Sequence, residues 1–300
     1  AWTARRKRAL WRSRVDLTSQ LVAACRSATR PPRVLISASA VGYYGDAGDS
    51  PLTEHSPRGA GFLAELCEAW EAAAQEAQAF GARVTLLRIG IVLGSDGGAL
   101  RAMLPAFRLG LGGPLGHGRQ YMPFIHLEDL LSVIVQALSD ERFSGPLNCS
   151  APEPERSRDF ARVLGAVLRR PAILPVPALA LRLALGQRAC VVLQSQRALP
   201  AKLLQLGFAF RHASLSEALA HCLTRDASVT IRAAKPEDRA PSGGYVLEHH
   251  SRLHAPPERA FAFFCRAENL GLITPSWMHF ELLGEPPAVI REGTELRYRI

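Results

Sequence analysis

The chain has 300 residues, of which 48% are hydrophobic and 21% charged, enough apolar material for one large core or two smaller ones. Its formal charge of +9 is almost entirely arginine, since the lysines are only Lys7, Lys202 and Lys235; the arginines are scattered rather than gathered with aromatics on one face, which argues against a nucleic-acid binder. No run reaches the roughly 18 apolar residues of a membrane span, because Ala172 to Leu185 is broken by Pro175, Pro177 and Arg182.

Residues 3–28 read as one amphipathic helix, with Leu10, Val15, Leu17, Leu21 and Val22 available to a core and the arginines facing water. Pro31 and Pro32 end it. Val34 to Gly45, VLISASAVGYYG, then opens as a short apolar run and closes in small, polar and glycine residues, the pattern of a buried parallel strand running into a loop. Ligands of open α/β sheets bind at such strand ends. The turn therefore has two readings: a ligand-facing set of hydroxyls (Ser37, Ser39, Tyr43, Tyr44) or an ordinary structural turn.

Phe62 to Phe80 carries apolar residues at three- and four-residue intervals, with Glu65, Glu68, Glu71 and Glu76 mainly on other faces, and predicts a helix capped by Gly81. Arg83 to Gly94 predicts a second apolar strand. Strand, helix, strand at these lengths is a βαβ unit with a parallel sheet. A helix is expected over 99–109. Residues 110–118, with five glycines in nine, lack both the Walker lysine and the GxGxxG spacing, and read as a flexible loop.

A short strand precedes a helix over Leu127 to Ser139, with Leu130, Leu131, Ile134, Val135 and Leu138 inward. Another strand is expected near residues 147–150, and 152–223 is helical with proline breaks. Ser214 and Glu217 have capping-box spacing. Residues 224–244 have linker composition. Beyond them Tyr245 to His254 reads as a strand, Pro256-Pro257 opens a helix, and residues 294–300 alternate as a strand. The six cysteines form no CxxC pair and have no histidine spacing that suggests zinc, so they read as reduced core residues of a cytosolic, cytoplasmic protein without a metal site.

The SASAVGYYG turn, FLAELCEAWE from Phe62, RLGLGGP from Arg108, FIHLED from Phe124 and Leu206-Gly-Phe208 together resemble the extended short-chain dehydrogenase/reductase superfamily. They are most similar to its epimerase-like subfamily with a C-terminal helical domain of unknown function. The resemblance implies an α/β fold: an incomplete Rossmann-like, doubly wound parallel sheet over 1–150 and a small, mostly helical subdomain over 151–223. After the linker, residues 245–300 resemble the start of a START-like, polyketide-cyclase-type domain, a partial α+β helix-grip fold for an apolar ligand. The glycine-rich fingerprint that opens such dinucleotide folds is absent, which predicts an N-terminally truncated chain.

The resemblance further implies an NAD or NADP cofactor for the full-length protein, a small carbonyl or sugar-like substrate, and a homodimer, with neither nucleic acid nor membrane as partner. Ser39 matches the superfamily's active-site serine, a donor to a substrate carbonyl, and Tyr44 is the candidate proton donor. Ser37, Ala38, Arg88, Ile89, Gly90 and Ile91 would flank the cofactor, while Tyr43, Gly118, Arg119 and Gln120 would meet the substrate. His126 and Asp129 are expected to orient a helix start. The superfamily's Tyr-x-x-x-Lys pair is missing: four residues beyond the tyrosines stand Ala47, Gly48, Ile125 and His249, or the chain has ended. Met122 occupies the place of a phosphate-pairing arginine. Two functions follow from this sequence: an oxidoreductase or epimerase of atypical mechanism, or a non-catalytic NAD(P)-binding sensor.

Overall fold

The computed structural model describes residues 2–95, 97–224, 227–233, 245–251, 262, 265–266, 281–282 and 298–299. The chain forms two units, Ala1–Arg225 and Asp226–Ile300.

The first unit begins with helix α1 (Ala4–Trp11), a π-helical turn (Arg12–Asp16) and α2 (Leu17–Arg26). Strand β1 (Val34–Ala40) runs into a 3-10 turn (Val41–Tyr44) and the short β2 (Pro51–Leu52). Helix α3 (Phe62–Gln75) follows, with a 3-10 extension to Phe80, then β3 (Arg83–Ile89), β4 (Ile91–Leu93) and α4 (Gly98–Arg108). Next come β5 (Tyr121–Met122), β6 (Phe124–His126), α5 (Leu127–Ser139) and β7 (Gly145–Cys149). The remainder is short β8 (Glu155–Arg156), α6 (Ser157–Leu168), α7 (Ala178–Leu185), α8 (Cys190–Leu193), β9 (Arg197–Ala198), α9 (Ala201–Gln205) and α10 (Leu215–Thr224).

The expected βαβ unit is present: β1 and β3 are parallel neighbours in register Val34↔Arg83 to Ala40↔Ile89, and β7 adds a third parallel strand beside β3. Alternation along the strands places helices on both faces. Leu35, Val84 and Leu86 pack with Val22 of α2 and with Ala74 and Ala77, whereas Ile36, Leu87 and Ile89 pack with Leu130, Val133 and Ala137 of α5. A third core joins α4, α6 and α10 through Leu104, Phe160 and Leu219.

Several expectations are corrected. Leu17 and Leu21 are exposed, because the stripe that faces α3 runs through Thr18 and Val22, about 100° around the helix from them. On α5, Leu131, Val135 and Leu138 are exposed, and the buried stripe is Asp129, Leu130, Val133 and Ala137. The strand expected over 83–94 is broken at Gly90: β4 leaves the main sheet and pairs in parallel with β6. A Cβ at Gly90 would stand 2.6 Å from the Pro123 carbonyl oxygen, so the crossing admits only glycine without movement. The glycine-rich stretch after α4 is packed rather than loose, with Gly113 against the Leu174 backbone and the Gly116 N–H donating to Val176 at 2.8 Å.

In the second unit an antiparallel ladder joins β10 (Ala227–Ala233) to β11 (Tyr245–Ser251), so part of the expected linker is strand. Short β12 (Glu281–Leu282) pairs with β13 (Tyr298–Arg299). Of the helix expected after Pro256-Pro257, Ala262 is among the described residues and is helical, and the residues on either side of it lie outside them. Among the described residues, no helix is long and apolar enough to cross a membrane.

Candidate active site

At the carboxyl ends of β1 and β3, neighbouring residues serve two different environments. Ser39 and Arg88 are register partners, as are Ala40 and Ile89, and successive strand residues point to opposite faces. Ser39 and Arg88 enter a buried polar network; Ala40 and Ile89 enter the wall of a cavity.

The network centres on an ion pair. Arg88, 4% exposed, meets Glu71 of α3 with Nε and Nη2 at 2.9 and 2.8 Å, a two-pronged contact suited to a planar guanidinium. Ser39 Oγ donates to the same carboxylate at 2.6 Å. Arg88 Nη1 donates to Tyr44 Oη at 3.0 Å, and the Tyr43 ring lies 3.5 Å from the guanidinium carbon. Tyr44 Oη shares its proton between Asn148 Oδ1 at 2.6 Å and the Thr53 carbonyl at 3.0 Å. Asn148 in turn donates through Nδ2 to the Leu52 and Leu199 carbonyls, and Glu54 accepts from the Asn148 and Lys202 main-chain N–H groups. Burial drives the Tyr44 phenol up to about 12, against the opposing pull of Arg88. For Arg88 burial is the largest single influence and acts downward, but the hydrogen bonds and charges of Glu71 and Tyr44 together outweigh it and hold the guanidinium above its ordinary range.

The cavity encloses about 460 Å³. One wall is Ala40, Val41 and Gly42 with Leu63 and Cys67 of α3; another is Ile89, Gly90 and Ile91; Ala99, Ala102 and Met103 of α4 form a third. Tyr121, Gln194 and Gln196 bring polar groups to this mostly apolar surface. The volume suits a small ligand or one end of a larger one. Burial, with the nearby Glu71 charge, pushes the Cys67 thiol up to about 11, so it meets the cavity as a neutral group.

The sequence-predicted site residues thus separate. Ile89, Gly90 and Ile91 line the cavity. Ser39, Tyr43, Tyr44 and Arg88 belong to the network behind it. Ser37 is buried in β1, and Ala38 is exposed. Gly118 accepts from the Arg158 N–H at 2.9 Å, and Arg119 is exposed. Gln120 is 1% exposed and ties two segments together through Nε2, at 2.9 Å from the Leu115 carbonyl and 3.0 Å from that of Val192. Among the described residues no lysine is recorded beside Tyr44, and Lys202 Nζ donates to the Ser144 carbonyl.

Glu71, Glu54 and Asn148 were not singled out by sequence. Glu71 had a signal, because it repeats the 64, 67, 71, 74 spacing of the buried face of α3. His126 caps α5 as expected, its Nδ1 accepting from the Glu128 N–H at 3.1 Å. Asp129 acts elsewhere, accepting from the Arg211 and His212 main-chain N–H groups at 2.8 and 3.1 Å.

The mostly apolar lining and the volume suit a nicotinamide ring. The GxGxxG spacing of a pyrophosphate-binding turn occurs nowhere in the sequence. The cavity therefore fits one end of a dinucleotide.

The profile of the NAD dependent epimerase/dehydratase family matches residues 1–148, and that of a domain of unknown function matches 176–222. The chloroplastic SDR39U1 homolog of Arabidopsis thaliana, an epimerase family protein, is 43% identical over 220 residues, which span 73% of this chain and 63% of that protein. The solved structure of human epimerase family protein SDR39U1 (isoform 2) with NADPH superimposes with a TM-score of 0.70 at 34% identity, covering 74% of this chain and 75% of that one. A nucleoside-diphosphate sugar epimerase from Corynebacterium glutamicum gives a TM-score of 0.61 at 35% identity, but the match covers 44% of its length. These likenesses identify the parallel sheet and its flanking helices as a Rossmann-like epimerase fold. The epimerase family protein Mb2239 of Mycobacterium bovis is 43% identical over 225 residues, 74% of its length, and by this measure the chain belongs to the NAD dependent epimerase/dehydratase family.

Proposed function

We propose that the first unit is the nicotinamide- and substrate-facing part of an NAD(P)-dependent oxidoreductase or epimerase of atypical mechanism, acting on a small carbonyl or sugar-like substrate. The observation that carries this reading is the apolar cavity where β1 and β3 end, walled by Ile89, Gly90 and Ile91. NADPH is the favoured cofactor, by likeness to the human relative solved with it. When bound, its reduced form would supply a hydride and its oxidised form would accept one. This chain's residues would hold the ring against Ile89 and Ile91 and keep water from it, while Tyr121, Gln194 and Gln196 orient polar substrate groups. Ser39, Tyr43, Tyr44 and Arg88 would fix the wall from behind without touching the substrate.

A second reading, a dinucleotide-binding sensor without turnover, is favoured by one observation: among the described residues Tyr44 has no lysine partner, and burial pushes its phenol up to about 12, far from the range of a proton donor at neutral pH. Residues 245–300 would begin a helix-grip domain for an apolar ligand, a reading supported by strand β11. The test is to titrate the full-length protein with NADPH and NADH by fluorescence and then follow hydride transfer to a panel of carbonyl compounds. Turnover supports the enzyme, saturable binding without turnover selects the sensor, and no binding overturns both.

A further inference from the structure

Away from these residues, four side chains converge that are distant in sequence. His126 ends β6, Glu128 lies in the first turn of α5, His212 precedes α10 and His221 lies within it. The three imidazole rings are mutual neighbours, with centroids 3.9 Å apart for His126 and His212, 4.8 Å for His126 and His221, and 4.4 Å for His212 and His221. His126 Nε2 is 3.1 Å from His221 Nδ1, and Glu128 Oε2 is 3.1 Å from His212 Nε2. One potential ligand atom from each of the four residues lies within 4.8 Å of all the others.

We propose that His126, Glu128, His212 and His221 bind one divalent transition-metal ion of the zinc class. Three imidazoles with one carboxylate are a borderline-soft nitrogen and oxygen set that suits zinc and cobalt rather than calcium or magnesium. Bonds of about 2.0–2.2 Å place tetrahedral donors roughly 3.3–3.6 Å apart. The two 3.1 Å pairs are already near that spacing, and the wider edges need a contraction of about an ångström.

The ligands are held independently of any ion. His126 is 4% exposed at the end of a buried strand. Fully buried Asp129 grips the main-chain N–H groups of Arg211 and His212 at 2.8 and 3.1 Å, fixing the loop that presents His212. His221 is flanked on α10 by Leu219 and Cys222, both in the core. Buried second partners of this kind orient first-sphere ligands. Two ligands come from residues 1–148 and two from 176–222, so the ion would clip the helical C-terminal segment to the epimerase-family segment.

The competing arrangement is a hydrogen-bond network. His126 Nδ1 accepts from the Glu128 N–H, which leaves its proton on Nε2, facing His221. Coordination through Nε2 displaces that proton to Nδ1 and releases the Glu128 amide, so the two arrangements differ in an observable group.

The test uses the full chain, stripped with a chelator and titrated with Zn²⁺ and, separately, Co²⁺. The expected result is one equivalent bound per chain, an intense visible Co²⁺ spectrum of tetrahedral type, a rise in Tm of several degrees and a shifted Glu128 amide resonance. His212→Ala with His221→Ala should abolish the spectrum and the rise in Tm. Glu128→Gln, which preserves shape, should weaken binding at least tenfold. A network alone predicts lower Tm in the variants and no response to metal in the parent, and that result overturns the proposal. Sulfur-to-cobalt charge-transfer bands, or a spectrum unchanged in the double variant, place the ion on cysteines and overturn it too. If the double variant does not fold, the stoichiometry, cobalt spectrum and Glu128 amide of the parent decide.

Discussion

The network behind the turn and the cavity in front of it share the same strand ends and treat polarity in opposite ways. Ser39 and Arg88 face inward to Glu71, whereas Ala40 and Ile89, one residue further on, line an apolar space. A single step along a strand thus decides whether a side chain holds the wall or meets a ligand. Hydroxyls at a sheet's carboxyl end therefore need not face the ligand.

The largest expected effect comes from breaking the ion pair. Arg88→Met leaves Glu71 buried and unpaired and should cost about 3–5 kcal/mol, read as a lower urea midpoint. Adding Glu71→Leu should recover part of that loss, because it removes the stranded charge. If the double variant is no more stable than the single one, the network is not organised around this pair.

Tyr44 sharpens the same contrast through pH. Its folded pKa of about 12 exceeds the ordinary 10.0, so the unfolded chain releases the proton first as pH rises. The associated stability is fully present below pH 10 and is lost as pH rises through 12; a shift of two units corresponds to roughly 3 kcal/mol. Tyr44→Phe should flatten this alkaline fall while leaving the neutral pH dependence of any turnover unchanged. A neutral-pH limb of turnover that disappears in Tyr44→Phe would instead make the phenol a proton donor.

Gly90→Ala acts on the boundary between the two regions. Its Cβ would press on the Pro123 carbonyl oxygen at 2.6 Å, and displacing β4 from β6 should cost about 2 kcal/mol. Because Gly90 and Ile91 line the cavity, NADPH affinity should fall with stability. A stable variant with unaltered NADPH affinity would separate the cavity from cofactor binding.

Much of this division could be read in the sequence, and the remainder has physical reasons for being hidden. β1, α3 and β3 follow from run lengths and periodicity, and α5 spans Leu127–Ser139 as its pattern predicts. The face to which Ser39 points could not be read, because both faces of β1 are covered and alternation alone does not label them. The break at Gly90 was hidden because an apolar run does not reveal that another backbone approaches it. The histidine cluster was invisible for a different reason: His126 and His221 are 95 residues apart, and only the packing of α10 brings them together.

Ser39→Ala is the smallest change and the most discriminating. The variant removes one hydrogen bond to the Glu71 carboxylate, which keeps both contacts to Arg88, so the stability loss should be about 1.5 kcal/mol. The cavity wall is built by Ala40 and Ile89 on the other face, and NADPH affinity should stay within about twofold of the parent, well under the 1.4 kcal/mol that a tenfold change represents. Turnover, where present, should be equally insensitive, because Oγ points at Glu71 at 2.6 Å and has its proton committed there. A tenfold or larger loss of turnover with stability unchanged would mean that the serine leaves Glu71 when substrate binds, and would move it from the network to the reacting face.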